Sequence, residues 1–228
     1  MSQKERTMYL GKQIWRRIND HIGWAKGTVS ASIVEREVQN IIRPFGAKVK
    51  IKQIKFTNKK TWFMVGGEFA PDVYRQPITI EIFLNSQKGY IYFTQKRRER
   101  FIFLLAQTLQ HELVHKLQFK NRGDERFYTE HSYFTPGNSK SSPKTLDYLS
   151  MIDEIDAHAH DLAMEIKYHY PLDDPIKILR RVSEYSDLPT WKIYSRAFRG
   201  ARWAQVRNEL LRKTYKWLPT VKEPFISG

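Results

Sequence analysis

One five-residue run, His111-Glu112-Leu113-Val114-His115, constrains this chain more than any other feature. It lies in a segment from about Gln95 to Phe119 whose apolar and basic residues predict one long helix. Positions four apart on such a helix are separated by about 40° around its axis, so both imidazoles can face one metal ion. Glu112 lies about 100° round from His111, off the line of ligands, where a base for a metal-held water belongs. Phe101, Leu104, Leu105 and Thr108 precede the histidines on the same face, which is therefore expected to be buried. The bland alternative, two histidines solvated or satisfied in a core, requires an accidental match with odds on the order of one in a hundred.

The chain has 228 residues, 41% of them hydrophobic, enough for one substantial core or a domain with an appendage. It contains no cysteine, so disulfides and thiolate ligands are excluded and any metal site must be built from His and carboxylates. Neutral imidazoles suit zinc, and catalytic zinc sites use three protein ligands with the fourth position left to water. Met1 to Lys12 is charged and lacks a secretory apolar core, and no run has the length of a membrane span. A cytoplasmic protein, or one packed into a virion or other nucleoprotein, is expected, with no membrane partner. The formal charge of +15 favours contact with nucleic acid or an acidic protein. Between Pro175 and Lys222 twelve Lys and Arg stand against Glu184, Asp187 and Glu209. A basic surface that serves only solubility is the competing explanation.

In chain order, Met8, Ile14, Trp15, Ile18 and Ile22 predict an amphipathic helix from Lys4 to about Ile22. Ser32 and Glu35 have capping-box spacing before a helix carrying Val34, Val38, Ile41 and Ile42. From Ala47 to Thr94 the period changes to two. Strands are expected at Val49 to Phe56, at Thr61 to Val65 with a break at Gly66-Gly67, at Ile78 to Leu84 and at Tyr90 to Phe93. The Ile78 to Leu84 strand, just before the metal helix, is expected to pair with an extended substrate. Residues 120–144 read as a long loop carrying Tyr128, His131 and Tyr133, whose polar tips are candidates for stabilising an oxyanion; ordinary packing explains the tyrosines equally well. A helix from Thr145 to about Tyr168 follows, and helical stretches near 175–185, 190–198 and 201–217 close the chain.

That helix contains Asp153-Glu154-Ile155-Asp156-Ala157-His158-Ala159-His160-Asp161, the other dense cluster of potential ligands. Glu154 can supply a third ligand; His158, one turn later on the same face, is an alternative, as are His131, His160 and Asp161. A His-Glu-x-x-His-x-x-Gly-x-x-His pattern would need histidine at 121, where Asn121 stands.

The HELVH run together with Glu154-Ile155-Asp156-Ala157 resembles the gluzincins, peptidases whose third zinc ligand is a glutamate on a following helix. The compact minigluzincins, in which that glutamate opens a Glu-x-(Glu or Asp)-Ala motif, are the nearest pattern. The resemblance covers about residues 77 to 166. It implies His111, His115 and Glu154 as zinc ligands, Glu112 as the catalytic base, and Asp156 as a carboxylate orienting a ligand histidine. It also implies an α+β zincin-like core with a small mixed or antiparallel sheet, an active-site helix and a second ligand helix. The expected organisation is a metallopeptidase domain over residues 1–170, including N-terminal helices, and a basic helical extension over 171–228. The expected function is zinc-dependent hydrolysis of a protein or peptide substrate. The rival is a nucleic-acid-associated or phage assembly protein that keeps the fold with little or no peptidase activity.

Overall fold

A computed structural model describes residues 3–58, 61–69, 77–85, 90–121 and 143–221. Tyr128, His131 and Tyr133 lie outside these residues. The fold is α+β, and the chain divides into two compact units between Lys116 and Leu117. No helix among the described residues is long and apolar enough to cross a membrane.

The first unit opens with α1, Gln3–His21, whose Ile14, Trp15 and Ile18 are buried as the helical period predicts. A short strand β1, Gly27–Ser30, leads into α2, Ala31–Ile42, where Val34, Val38, Ile41 and Ile42 face inward. Arg17 on α1 donates to the carbonyls of Ile41 and Asn40 at 3.0 and 2.9 Å, satisfying acceptors that the last turn of α2 leaves open. The expected capping box does not form. The N-cap of α2 is Ser30, without a side-chain cap, and its hydroxyl meets that of Ser32 at 3.0 Å.

Four strands follow: β2 Ala47–Ile54, β3 Phe63–Glu68, β4 Ile78–Asn85 and β5 Tyr90–Phe93. β2, β4 and β3 form a mixed sheet in that order, parallel between β2 and β4 and antiparallel between β4 and β3; β1 and β5 form a separate antiparallel pair. All of β4 except Glu81 is buried, and the nearly unbroken apolar run Ile78-Thr79-Ile80-Glu81-Ile82-Phe83-Leu84 is the composition a central strand covered on both faces requires. Being central, β4 has hydrogen-bonded neighbours on both sides and no edge for a substrate strand, which corrects the expectation for Ile78 to Leu84. β3 also differs from expectation, running through Gly66 and Gly67, which pair with Glu81 and Ile80. On the outer side of β2 the Gln39 side chain donates to the Ala47 carbonyl at 3.1 Å and accepts from the Val49 amide at 2.9 Å.

From β5 the chain enters α3, Gln95–Asn121, as expected from the apolar period. Phe101 is fully buried and meets the rings of Phe63 and Phe93 edge-on at 5.3 and 5.4 Å. These contacts fix the first half of α3 against the strands of its unit.

Among the described residues the second unit holds the last turn of α3 and five α-helices: α4 Pro143–Leu149, α5 Ile152–His169, α6 Pro175–Arg180, α7 Pro189–Ala197 and α8 Gly200–Trp217. The single helix expected from Thr145 to Tyr168 is broken. Met151 takes an extended conformation at φ −62°, ψ 139°, and the Ser150 hydroxyl donates to the Asp147 carbonyl at 3.0 Å, terminating α4 with the local bonds serine offers in place of helix. The break makes Asp153 and Glu154 part of the first turn of α5. α5 is buried nearly all round, with Ala157, Ala159 and Ala163 at zero exposure, and these short side chains admit close neighbours. α8 packs along it through Val206, Leu210, Thr214 and Trp217, a three-and-four spacing. Asp174 caps α6 by accepting from the Ile176 amide at 2.9 Å, as its place before Pro175 predicts.

Candidate metal centre

On α3 the two histidines of the motif face each other. Their Nε2 atoms are 3.1 Å apart and the ring centroids 4.7 Å. Two imidazole nitrogens held tetrahedrally at ordinary zinc distances stand about 3.3 Å apart, so the pair needs only a small adjustment to share an ion. His115 is buried and His111 half-buried, continuing the inward face of Phe101, Leu105 and Leu109.

Glu112 is 6% exposed despite its charge. Strand β3 crowds it. A Cβ built on Gly67 would come within 2.6 Å of the Glu112 Oε1 atom and 2.8 Å of Thr108 Cγ2, far inside contact distance. At the neighbouring Gly66 an added Cβ meets only Phe83 Cε2, at 3.5 Å. Only glycine at 67 lets the β3 backbone lie against the carboxylate, and the sequence signal for this was the Gly66-Gly67 pair, which suggested a strand break.

On α5, Glu154 is 3% exposed, with His158, Asp161 and Glu165 following at four, three and four residues, so these ionisable groups share one face. His158 presents Nδ1 to Asp161 Oδ2 at 3.4 Å. At that separation the pair is a close approach of imidazole and carboxylate, without a hydrogen bond at Nδ1. Tyr194 on α7 packs edge-on against the His158 ring at 5.4 Å and is fully buried. Burial, and then the charges of Glu154 and Asp161, hold its phenol well above the usual tyrosine range, so it remains neutral. Sequence reasoning missed Tyr194, because Trp191, Tyr194 and Phe198 read as an ordinary apolar face. At the far end of the row Glu165 accepts from the Thr190 amide at 3.1 and 3.2 Å and from its hydroxyl at 2.7 Å, which anchors the start of α7.

His111 on α3 and Glu154 and His158 on α5 each offer an atom that could bind a metal ion. Other candidates have different roles. Asp156 accepts from Gln118 Nε2 and Trp217 Nε1, both at 3.1 Å, and lies 3.3 Å from Lys213 Nζ. These three donors use both of its oxygens, and no histidine is among its partners in the described residues, so Asp156 ties α5 to α8 and the end of α3 rather than orienting a ligand. His160 is buried edge-on against Trp217 at 5.2 Å. His131, like Tyr128 and Tyr133, lies outside the described residues.

Comparison of the chain with protein-family models, with curated proteins and with solved structures returns no match.

Proposed function

We propose that the chain is a zinc-dependent metallopeptidase in which His111, His115 and Glu154 hold the ion and Glu112 is the general base. The observation that carries this reading is the 3.1 Å approach of the two Nε2 atoms on α3, with the intervening Glu112 buried against the glycine of β3. The donor set that His111, Glu154 and His158 offer, imidazole and carboxylate without thiolate, suits zinc.

A bound zinc ion would polarise the scissile carbonyl and acidify the attacking water. Glu112 then takes a proton from that water and delivers it to the departing amine nitrogen. Burial keeps this carboxylate out of bulk solvent, and the β3 backbone at Gly67 limits the positions it can occupy. β3 also borders the three-stranded sheet, since β2, β4 and β3 lie in that order. An extended substrate that added to this outer strand would run beside Glu112.

His158 favours a second reading. If it joined His111, His115 and Glu154, the protein would fill all four positions, the closed pattern of a structural metal site. The chain would then be a metal-stabilised protein with a basic surface for nucleic acid or an assembly partner, with no hydrolysis to perform. Metal analysis separates the two. The peptidase reading expects near one zinc per chain in the parent and in His158→Ala, and strong loss in His115→Ala and Glu154→Ala. Loss in His158→Ala equal to that in His115→Ala, with no hydrolysis of a casein probe by the parent, would establish the closed site.

A further inference from the structure

A second feature of the first unit lies where α3 begins, outside the residues of the metal reading. A hollow of about 320 Å³ opens between the segment leading into β3, with Asn58, Thr61 and Trp62, and the opening turns of α3, with Lys96, Arg97 and Arg100. Among the described residues three cations line it and no carboxylate does. The single acid of those turns, Glu99, accepts instead from Gln95 Nε2 at 2.8 Å. Among the described residues, neither Lys96, Arg97 nor Arg100 has a carboxylate within ion-pair distance.

Arg97 is already fixed in place. Its guanidinium sits 4.2 Å from the centre of the Trp62 ring, and Nη1 donates to the Tyr92 carbonyl at 3.0 Å. A guanidinium carries five N–H donors in a rigid plane, so these two anchors set its orientation and leave most donors for a ligand. The Thr94 hydroxyl accepts from the Arg97 amide at 3.3 Å, so the helix end has its own cap and recognition falls to the side chains. The Trp62 ring is in turn 6.3 Å from that of Tyr90. The volume is at the small end of the range for ligand sites, room for one anionic group and a little of what it is attached to.

We propose that this hollow binds a phosphate group. Three converging cations suit an ester or anhydride with several charged oxygens better than a single carboxylate, and the oriented guanidinium can grip two of those oxygens at once. The net charge of +15 would draw such anions toward the surface. Two sources share this chemistry, a free nucleotide and the backbone of a single strand. The proposal does not rest on the metal reading.

The test is calorimetric titration of the full chain at about 0.1 M salt with AMP, inorganic pyrophosphate, an oligothymidylate and acetate. The comparison set is Arg97→Gln, Arg100→Gln and, as a control elsewhere on the surface, Arg202→Gln. Arg100 is exposed, so its variant reports on the site even if Arg97→Gln disturbs packing on Trp62. Binding of at least one phosphate probe is expected, weakened about tenfold in Arg97→Gln and Arg100→Gln and unchanged in Arg202→Gln. Tighter binding of the oligothymidylate would identify a strand as the source, and tighter binding of AMP a free nucleotide. The proposal is overturned if no phosphate probe binds the parent, if acetate binds as well as AMP, or if both variants keep the parent's affinity.

Discussion

Two stretches carry the ionisable groups of the candidate centre, and they are built in opposite ways. On α3 the histidines emerge from an otherwise apolar helix face, one turn apart, and face each other at 3.1 Å. On α5 a continuous row, Glu154, His158, Asp161 and Glu165, is buried or half-buried within a helix covered nearly all round, each member beside other polar groups. The α3 pair is a local arrangement that five residues of sequence dictate. The α5 row depends on α7, which supplies Tyr194 and Thr190, so its chemistry exists only once the helices have packed.

The largest effect that would sharpen this contrast is expected at Glu112. Glu112→Gln should keep zinc and lose hydrolysis by a factor of about 10² to 10⁴, measured on a casein probe beside metal analysis. Unchanged hydrolysis would remove Glu112 as the base. Gly67→Ala comes next, with turnover lowered on the order of a hundredfold while metal content stays, because the new methyl group displaces the Glu112 carboxylate. Gly66→Ala should have little effect, and equal damage from both substitutions would show that β3 tolerates no side chain there for reasons unrelated to Glu112.

The α5 side is probed through stability. Glu165→Ala strands the buried Thr190 amide and hydroxyl, and a loss of about 1–3 kcal/mol is expected by urea denaturation with metal binding retained. A loss of zinc in this variant would mean that the row acts as a unit and that its far end also positions Glu154. The smallest effect belongs to α8. A hydrogen bond from Arg212, and then the charges of nearby cations, hold the Glu209 carboxyl below its usual range. A depressed carboxyl adds stability above its unfolded value and loses it as the pH falls through the folded one. Arg212→Gln should therefore lower the urea midpoint only slightly near neutrality for this largely solvated pair, and not at all once the acid range has protonated Glu209.

Much of this is legible in the sequence where the physics is local. The three-and-four spacing of Phe101, Leu104, Leu105, Thr108, His111 and His115 defined α3, and Asp174-Pro175 marked the start of α6. β1 escaped notice because it has four residues and buries only Val29, too little for a period to show. The break between α4 and α5 escaped because the apolar spacing runs through Ser150 and Met151, and only the serine's bond to Asp147 reveals the stop. Gly66 and Gly67 suggested a turn because their value lies in what packs against them, the Glu112 carboxylate at 67, which no one-dimensional pattern records. Asp156 had motif spacing for a histidine partner, yet Gln118, Trp217 and Lys213, distant in sequence, claimed it.

The Gln39 amide has a consequence for how copies of this protein meet. By occupying the Ala47 and Val49 backbone groups it imitates a neighbouring strand, so another molecule cannot readily extend the sheet past β2. Growth by ribbon-to-ribbon stacking needs two vacant borders, and one has been closed from within by a single side chain. Removing that plug with Gln39→Ala would give the sheet a second sticky margin, with self-association in dilute solution as the symptom.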